Sequence, residues 1–358
     1  MHVDFDYFFA QVEERENPAI GSKPVVVCVY SGRSEDSGVV STANYLARKY
    51  GVKSGMPISF AKNRLKDADA EFLPVNHELY DVVSRNIMRI IRKYADNFEQ
   101  AGVDEAFLEV TESTKGSFEK AGELASKLKR EIWMKERITC SIGIGQNKLV
   151  AKIAAGTHKP DGLTIVKPDK VEQFLFPLPV RVLLGVGRKT EKILNELAIF
   201  TVGELAASDP RKLISIFGRN AATYLQRSAL GRDGSPVKQR ERADSMSRIK
   251  TLKEDTRDLT VIGEEIENIA EELHSTSIEQ GLYFKSISIT AVMNDLSVLS
   301  RSKTFTNPIE DLDILKKTAL ELFRDLLRSD AERSVRRAGV KISSLVEAKG
   351  QKQLVDYG

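Results

Sequence analysis

Acidic residues stand in this chain where an apolar strand has no use for them. Val3-Asp4-Phe5-Asp6-Tyr7-Phe8-Phe9-Ala10 reads as a buried strand with Asp4 near its end, then a sharp turn through consecutive aromatic residues. A carboxylate on such a strand must be solvated, paired or bound to metal. Much later, Val103-Asp104-Glu105-Ala106-Phe107 again sets acids inside an apolar strand pattern. Neighbours on a regular strand face opposite sides, so Asp104 and Glu105 converge only at a bend or turn. Two such strands side by side gather Asp4, Asp104 and Glu105 around one point. Three hard oxygen donors, with no His or Cys expected nearby, suit Mg2+ rather than Zn2+.

Two further motifs accompany these. TANYLARKYGV runs from Thr42 to Val52 and KIAAGTHKPDG from Lys152 to Gly162. With VDFDYFFA and VDEAF, in this order and at these separations, they resemble the Y-family translesion DNA polymerases, above all the archaeal DinB-like (DNA polymerase IV-like) members. The match extends over nearly the whole chain. Met1 and His2 form a stub before Val3, where the family usually carries a few more strand residues.

The resemblance implies an α+β multidomain protein, a right-hand polymerase with an added βαββαβ domain. Residues 1–9 and 76–167 are expected to form the palm, 10–75 the small fingers and 168–231 a helical thumb with a helix-hairpin-helix. A linker at 232–243, a little finger at 244–346 and a clamp-binding tail at 347–358 complete the order. The implied activity is template-directed addition of deoxynucleotides to a primer, specialised for damaged template, with low fidelity and no proofreading exonuclease. Primer-template DNA, deoxynucleoside triphosphates and a sliding clamp are the expected partners of a monomer.

The same resemblance assigns roles to residues. Two Mg2+ ions (replaceable by Mn2+), about 3.5–4 Å apart, stabilise the attacking and leaving oxygens of an in-line displacement. Asp4 and Asp104 are expected to bridge both ions, Glu105 to complete the site on the primer side and the Phe5 carbonyl to add a ligand. Asp6 shares a strand face with Asp4, but the family pattern argues against it as a ligand. Tyr45 and Arg48 share a helix face and fall where the family contacts the triphosphate. Lys159 is the third contact, a point charge for the β/γ region. Lys148 and Lys152 share a helix face and read as solvated or DNA-contacting, outside the site. Phe9 takes the family's steric-gate position, where an aromatic ring leaves no room for a ribose 2′-hydroxyl. Ser41, Thr42 and Ala43 are expected near the nascent base pair, with Val39 bulkier than the alanine often found there.

The elements that must hold these residues follow from pattern. Residues 24–43 read as a hairpin, Asn44–Tyr50 as helical, 77–95 as a helix with apolar positions Leu79, Val82, Val83, Ile87, Ile90 and Ile91, and 117–135 as another helix. Phe98–Val110 and Arg137–Gly145 read as strands. From Pro168 to Gly231 strand patterns give way to short helices. There Leu184-Gly185-Val186-Gly187-Arg188-Lys189-Thr190 looks like a helix-hairpin-helix, with Gly185 and Gly187 letting the backbone approach a phosphate. Ile216-Phe217-Gly218-Arg219-Asn220 reads either as a second, degenerate hairpin or as a structural turn. Beyond the polar linker, strand 246–253, helix 262–280, strands 284–294 and 297–304, helix 310–328 and strand 335–346 give the βαββαβ order, with both helices on one sheet face. Acids gather on the first helix (Glu264, Glu265, Glu267, Glu271, Glu272). Lys250, Arg301, Arg333, Arg336 and Arg337 lie on or beside strands and are expected to track phosphates. The last residues carry Gln351, Leu354 and Tyr357 in a pattern resembling a clamp-binding peptide, with Gly358 where a second aromatic is common.

Composition sets the frame. A chain of 358 residues, 41% hydrophobic and 29% charged, exceeds one ordinary core. The net charge of +3 would not by itself announce a nucleic-acid binder. Cys28 and Cys140 are the only cysteines and lie far apart, so a reducing cytoplasm fits. No apolar run reaches the length of a membrane span, and the chain reads as soluble and intracellular. A nucleotidyl cyclase built on the same palm chemistry would need neither the helix-hairpin-helix nor a basic C-terminal sheet. A DNA-binding scaffold without activity would not need Asp4, Asp104, Glu105, Arg48 and Lys159 together.

Overall fold

The structure is a computed structural model that describes residues 1–239, 244–330 and 332–347. In the N-terminal part the elements run β1 (His2–Phe5), α1 (Phe8–Glu16), β2 (Val25–Tyr30), β3 (Gly38–Ala43), α2 (Tyr45–Lys49), α3 (Ile58–Arg64), β4 (Glu71–Pro74) and α4 (His77–Arg92). They continue with β5 (Asn97–Gln100), β6 (Glu105–Glu109), α5 (Thr111–Thr114), α6 (Phe118–Glu136), β7 (Cys140–Ile144), α7 (Lys148–Thr157) and β8 (Leu163–Ile165). Short helices follow: α8 (Val171–Leu175), α9 (Arg188–Glu196), α10 (Val202–Ala207), α11 (Pro210–Phe217) and α12 (Arg219–Ala229). The C-terminal part is β9 (Ser245–Thr256), α13 (Leu259–Glu279), β10 (Leu282–Met293), β11 (Val298–Ile309), α14 (Leu312–Ser329), β12 (Val335–Ser343) and β13 (Val346–Glu347). The chain divides into two compact units, Met1–Val29 with Val39–Arg240, and Tyr30–Gly38 with Glu241–Gly358. Among the described residues, no helix is long and apolar enough to cross a membrane.

The first unit is organised by a five-stranded sheet of order β5-β6-β1-β7-β8, in which β1 lies antiparallel between β6 and β7. Alternation along β1 decides its faces. Val3 and Phe5 join Ala106, Leu108, Cys140 and Ile142 in a core closed by the apolar faces of α4 and α6. On α4 the buried positions Tyr80, Val83, Ser84, Ile87, Met88 and Ile91 recur at helical spacing. Val82, one of the apolar positions of this helix, is 47% exposed, while Tyr80 is buried. The cap is legible: the Asn76 side chain accepts from the Leu79 N–H. The expected single strand Phe98–Val110 is really the hairpin β5/β6, broken at 101–104, where the N–H groups of Ala101 and Gly102 both donate to the Glu105 carbonyl.

On the other sheet face α7 crosses β7. That approach requires Gly143, where a Cβ would come within 2.0 Å of the Ala151 carbonyl oxygen. A smaller three-stranded sheet, β3-β2-β4, packs on α2 and α3 through Val26, Cys28, Val40, Ala47, Ile58 and Ala61.

In the second unit the path β11-β10-β12-β9 forms an antiparallel sheet, with β13 pairing β10 at one end. Ile287, Ile289, Ala291, Ala338, Val340 and Ile342 meet Ile262, Ile266, Ile269, Leu273, Leu315, Ala319 and Phe323 of α13 and α14 in one core. The expected βαββαβ order with its helices on one face is the observed one.

Candidate active site

Strand register brings two of the three acids face to face: Asp4 is the direct partner of Glu105 across β1 and β6. Asp104 sits in the bend just before β6, and its carbonyl accepts the Phe5 N–H at 2.8 Å. The bend is what lets adjacent acids converge. Gly102 backs onto both of them, since a Cβ there would lie 3.3 Å from Glu105 Cγ and 3.4 Å from Asp104 Oδ1.

Two residues that the sequence reading left out of the site also lie in it. His2 shares the Asp4 face by alternation and is fully buried; its Nε2 lies 3.1 Å from Glu105 Oε2 and its ring 4.5 Å from that of Phe107. Donor atoms of His2, Asp4 and Glu105 lie within 4.8 Å of one another, so the reading that no histidine stands near the acids is corrected. Lys152 of α7 is ion-paired with Glu105, and Lys148 binds Glu99 through both oxygens, at 2.8 and 2.6 Å. Lys152 therefore belongs to the acidic centre.

The electrostatics are divided. The His2 hydrogen bond, followed by Lys152, holds the Glu105 carboxyl down at about 2. Burial lowers the His2 pKa, and because ionised Glu105 can only accept, Nε2 is the donor in their contact. Asp104 moves the other way: burial first, then the charges of Asp4 and Glu105, raise its pKa.

Asp6 is an anchor. It is fully buried, accepting from Ser141 Oγ at 2.7 Å, Thr139 Oγ1 at 3.0 Å and the Asp161 N–H at 2.8 Å. The last bond, with Lys129 Nζ on the Asp161 carbonyl at 2.6 Å, fixes the loop that carries Lys159. Lys159 in turn is ion-paired with Asp4. From the other side, Arg48 donates to the Ala43 carbonyl at 2.8 Å and lies 4.9 Å from the Tyr45 ring centroid. The Tyr45 hydroxyl is buried with no hydrogen-bond partner, and burial, then the charge of Asp6, raises its pKa. A buried, orphaned donor beside an arginine fits an anionic ligand.

The turn after β1 sorts the aromatic residues. Tyr7 adopts φ 35, in the left-handed region, with its hydroxyl donating to Glu14 at 3.1 Å and its ring edge-on to Tyr45. Phe8 is buried in the core. Phe9 is half-buried and stacks on Tyr80. Ser41 and Thr42 are half-buried, while Ala43 belongs to the small core beside α2.

Among the helices after β8, Gly185 takes φ +83 and Gly187 caps α9, with open space where its Cβ would be. The loop from Leu184 to Gly187, exposed except at buried Val186, thus leads into the α9 N-terminus, but only a 3-10 turn, Val180–Val182, precedes it. Gly218 alone joins α11 to α12, at φ +77.

In the second unit, the expectation of one basic sheet face needs correction. Register puts Lys250 beside Ala338 and Arg301 beside Ile289, on the helix side of the sheet. Lys250 pairs there with Glu272 at 2.9 Å, and Arg301 donates to Ser329 Oγ at 3.0 Å. Acidic α13 draws an edge-strand lysine over rather than repelling basic side chains to the far face. Arg333 pairs with Asp330 at 2.5 Å and Arg336 lies 3.6 Å from Asp255. Arg337, with Lys341, stands on the helix-free face among Thr251, Ser288 and Gly339. Gln351, Leu354 and Tyr357 lie outside the described residues, as do Arg240 and Arg242.

Comparison with known proteins places the chain in a family. Residues 3–156 match the impB/mucB/samB family model and residues 243–354 the model of that family's C-terminal domain. The chain is 44% identical to the DNA polymerase IV of Nitrosopumilus maritimus, covering 99% of this chain and 98% of the relative. It is 45% identical to the DNA polymerase IV of Methanosarcina acetivorans, covering 100% and 98%. A solved Y-family DNA polymerase chimera of Dbh and Dpo4 superposes with a TM-score of 0.91 at 41% identity, over 97% and 98% of the two chains. An insertion ternary complex of Dbh DNA polymerase gives 0.69 at 40%, over 97% and 98%. Likeness at this level over the whole length defines the class, a DNA-directed DNA polymerase. Within that class the chain belongs to the Y family of translesion polymerases, of the DNA polymerase IV type.

Proposed function

We propose that the chain extends a primer opposite damaged template by two-metal nucleotidyl transfer, with low fidelity. The observation that carries this reading is the meeting of strand partners Asp4 and Glu105, whose ligand atoms lie within 4.8 Å, with Asp104 in the adjoining bend and with Lys159 and the orphaned Tyr45 hydroxyl beside them. The donor set fits Mg2+: the carboxylates and the Phe5 carbonyl offer hard oxygens, and the proton on His2 Nε2 is committed to Glu105, which keeps that nitrogen from ligating. Bound there, divalent ions would acidify the primer 3′-hydroxyl and neutralise charge on the reacting phosphates.

The chain's own groups do the rest. Asp4 and Asp104 would hold the ions together with Glu105, which would stand on the primer side. Tyr45, Arg48 and Lys159 hold the triphosphate so that its α-phosphorus lies in line. Phe9 stacks under the deoxyribose and excludes a 2′-hydroxyl. The palm (1–9, 76–167), fingers (10–75), thumb (168–231), linker (232–243) and little finger (244–346) are the assignments this reading uses. Gly185, Gly187 and α9 contact a DNA phosphate, and Arg337 leads the second unit's contact with the backbone. One solved relative is an insertion ternary complex and another a post-insertion binary complex of Dbh DNA polymerase, which supports primer-template and nucleotide as partners.

Primer extension with Mg2+ on undamaged and abasic templates tests the proposal. Extension past both is expected; stalling at the abasic site refutes lesion bypass, and failure on both refutes the activity. A sliding clamp bound through Gln351, Leu354 and Tyr357 is a separate part of the proposal. Deleting 351–358 is expected to abolish clamp stimulation while leaving unassisted extension intact, and equal stimulation of both chains refutes it.

A further inference from the structure

The Phe9 ring does not stand alone. It lies nearly parallel to the Tyr80 ring, centroids 4.3 Å apart at 15°, and edge-on to His77 at 6.2 Å. Tyr80 is 1% exposed, projecting from the first turn of α4, and its hydroxyl donates to Glu13 Oε1 at 2.5 Å. Glu13 sits one helical turn beyond Phe9 on α1. The contacts therefore close a loop: α1 carries Phe9 and Glu13, α4 carries Tyr80, and Tyr80 is held against Phe9 by the residue that shares its helix.

Beside this loop lies an open hollow of about 530 Å³, lined in part by Glu13, Val75, Asn76 and His77. Two of the groups touching the aromatic pair, Glu13 and His77, face it. Neither Phe9 nor Tyr80 lines the hollow, so the room into which an unbacked Phe9 ring would tilt is the volume that Tyr80 itself fills.

We propose that Tyr80, fixed by Glu13, is a positioning residue for sugar selection: it sets how far the Phe9 ring stands into the nucleotide site, and so how completely a ribose 2′-hydroxyl is refused. This rests on the reading of Phe9 as the steric gate. Exclusion by volume depends on the gate's position, because a ring that yields by the width of an oxygen atom excludes nothing. Neither Tyr80 nor Glu13 touches the sugar; both act through Phe9.

The test compares single-turnover incorporation of deoxy- and ribonucleotides opposite undamaged template by the full chain and by Phe9→Ala, Tyr80→Leu, Tyr80→Phe and the Phe9→Ala/Tyr80→Leu double variant. Tyr80→Leu is expected to lose roughly tenfold or more of its discrimination against ribonucleotides, on the scale that a small volume change in a pocket commands. Its deoxynucleotide efficiency should stay within a few-fold, which a general structural defect would not spare. Tyr80→Phe keeps the ring and should retain most of the discrimination. The double variant should discriminate no worse than Phe9→Ala. If Tyr80→Leu does not fold, Tyr80→Met, unbranched and able to fill the same space, replaces it under the same criteria. Discrimination lost in Phe9→Ala but intact in the Tyr80 variant overturns the inference and leaves the gate standing. No change in Phe9→Ala removes the gate itself, and the inference with it. Additive losses in the double variant also overturn it, since Tyr80 would then act by another route.

Discussion

Lys152 on α7 is ion-paired with Glu105, the first residue of β6 and the direct strand partner of Asp4. An ammonium on a carboxylate expected to bind metal competes with that metal for the same oxygen and repels it besides. Lys152→Gln removes both effects. The Mg2+ concentration for half-maximal primer extension is expected to fall several-fold, read from a Mg2+ titration at saturating nucleotide. A higher Mg2+ requirement would show that Lys152 instead helps assemble the centre.

Asp6 satisfies Thr139, Ser141 and the Asp161 N–H from a buried position. Asp6→Ala strands those donors and is expected to cost about 3 kcal/mol in urea unfolding. Because the same bonds fix the Lys159 loop, the KM for deoxynucleotide should rise more than kcat falls. A loss under about 1 kcal/mol, or an unchanged KM, contradicts the anchoring role.

Protonation gives a third outcome, with opposite signs at neighbouring acids. The Asp104 pKa is raised by burial and by Asp4 and Glu105, so its ionised form destabilises the metal-free fold above that pKa, and the cost disappears as pH falls through it. Glu105, held at about 2, stabilises the fold above the ordinary carboxylate range and loses that contribution only as pH falls toward 2. With EDTA present, Asp104→Asn is expected to melt above the unmodified chain at pH 7, the gap narrowing as pH is lowered toward the raised Asp104 pKa. Thermal melts across that range check it. A lower Tm for the variant at pH 7 would mean that the charge on Asp104 is compensated.

Much of this was legible in the sequence, for reasons that particular residues make plain. Asp4, Asp104 and Glu105 stood out because carboxylates in apolar strands need an explanation, and the bend that unites Asp104 with Glu105 follows from alternation. Alternation also put His2 on the face of Asp4, a signal that was present but unread. Lys152 was not legible, because which face of α7 meets the sheet depends on the close approach over Gly143. Tyr80 was left out of the apolar positions that included Val82, since hydrophobicity alone ranks valine higher and only packing shows the tyrosine ring buried and stacked on Phe9. The basic residues of the second unit misled for a related reason. Sequence shows that Lys250 lies on a strand, but the register that turns it toward Glu272 is set by pairing with β12.

The central claim is that the acids at the β1/β6 junction perform the chemistry while other surfaces bind DNA. Asp104→Asn tests it most directly, with single-turnover primer extension and primer-template affinity measured on the same preparation in Mg2+. The account predicts extension reduced by three orders of magnitude or more, on the scale of losing transition-state charge stabilisation (about 4 kcal/mol), with DNA affinity within a few-fold of the unmodified chain. Extension at the normal rate, or a loss traced wholly to weakened DNA binding, would contradict it.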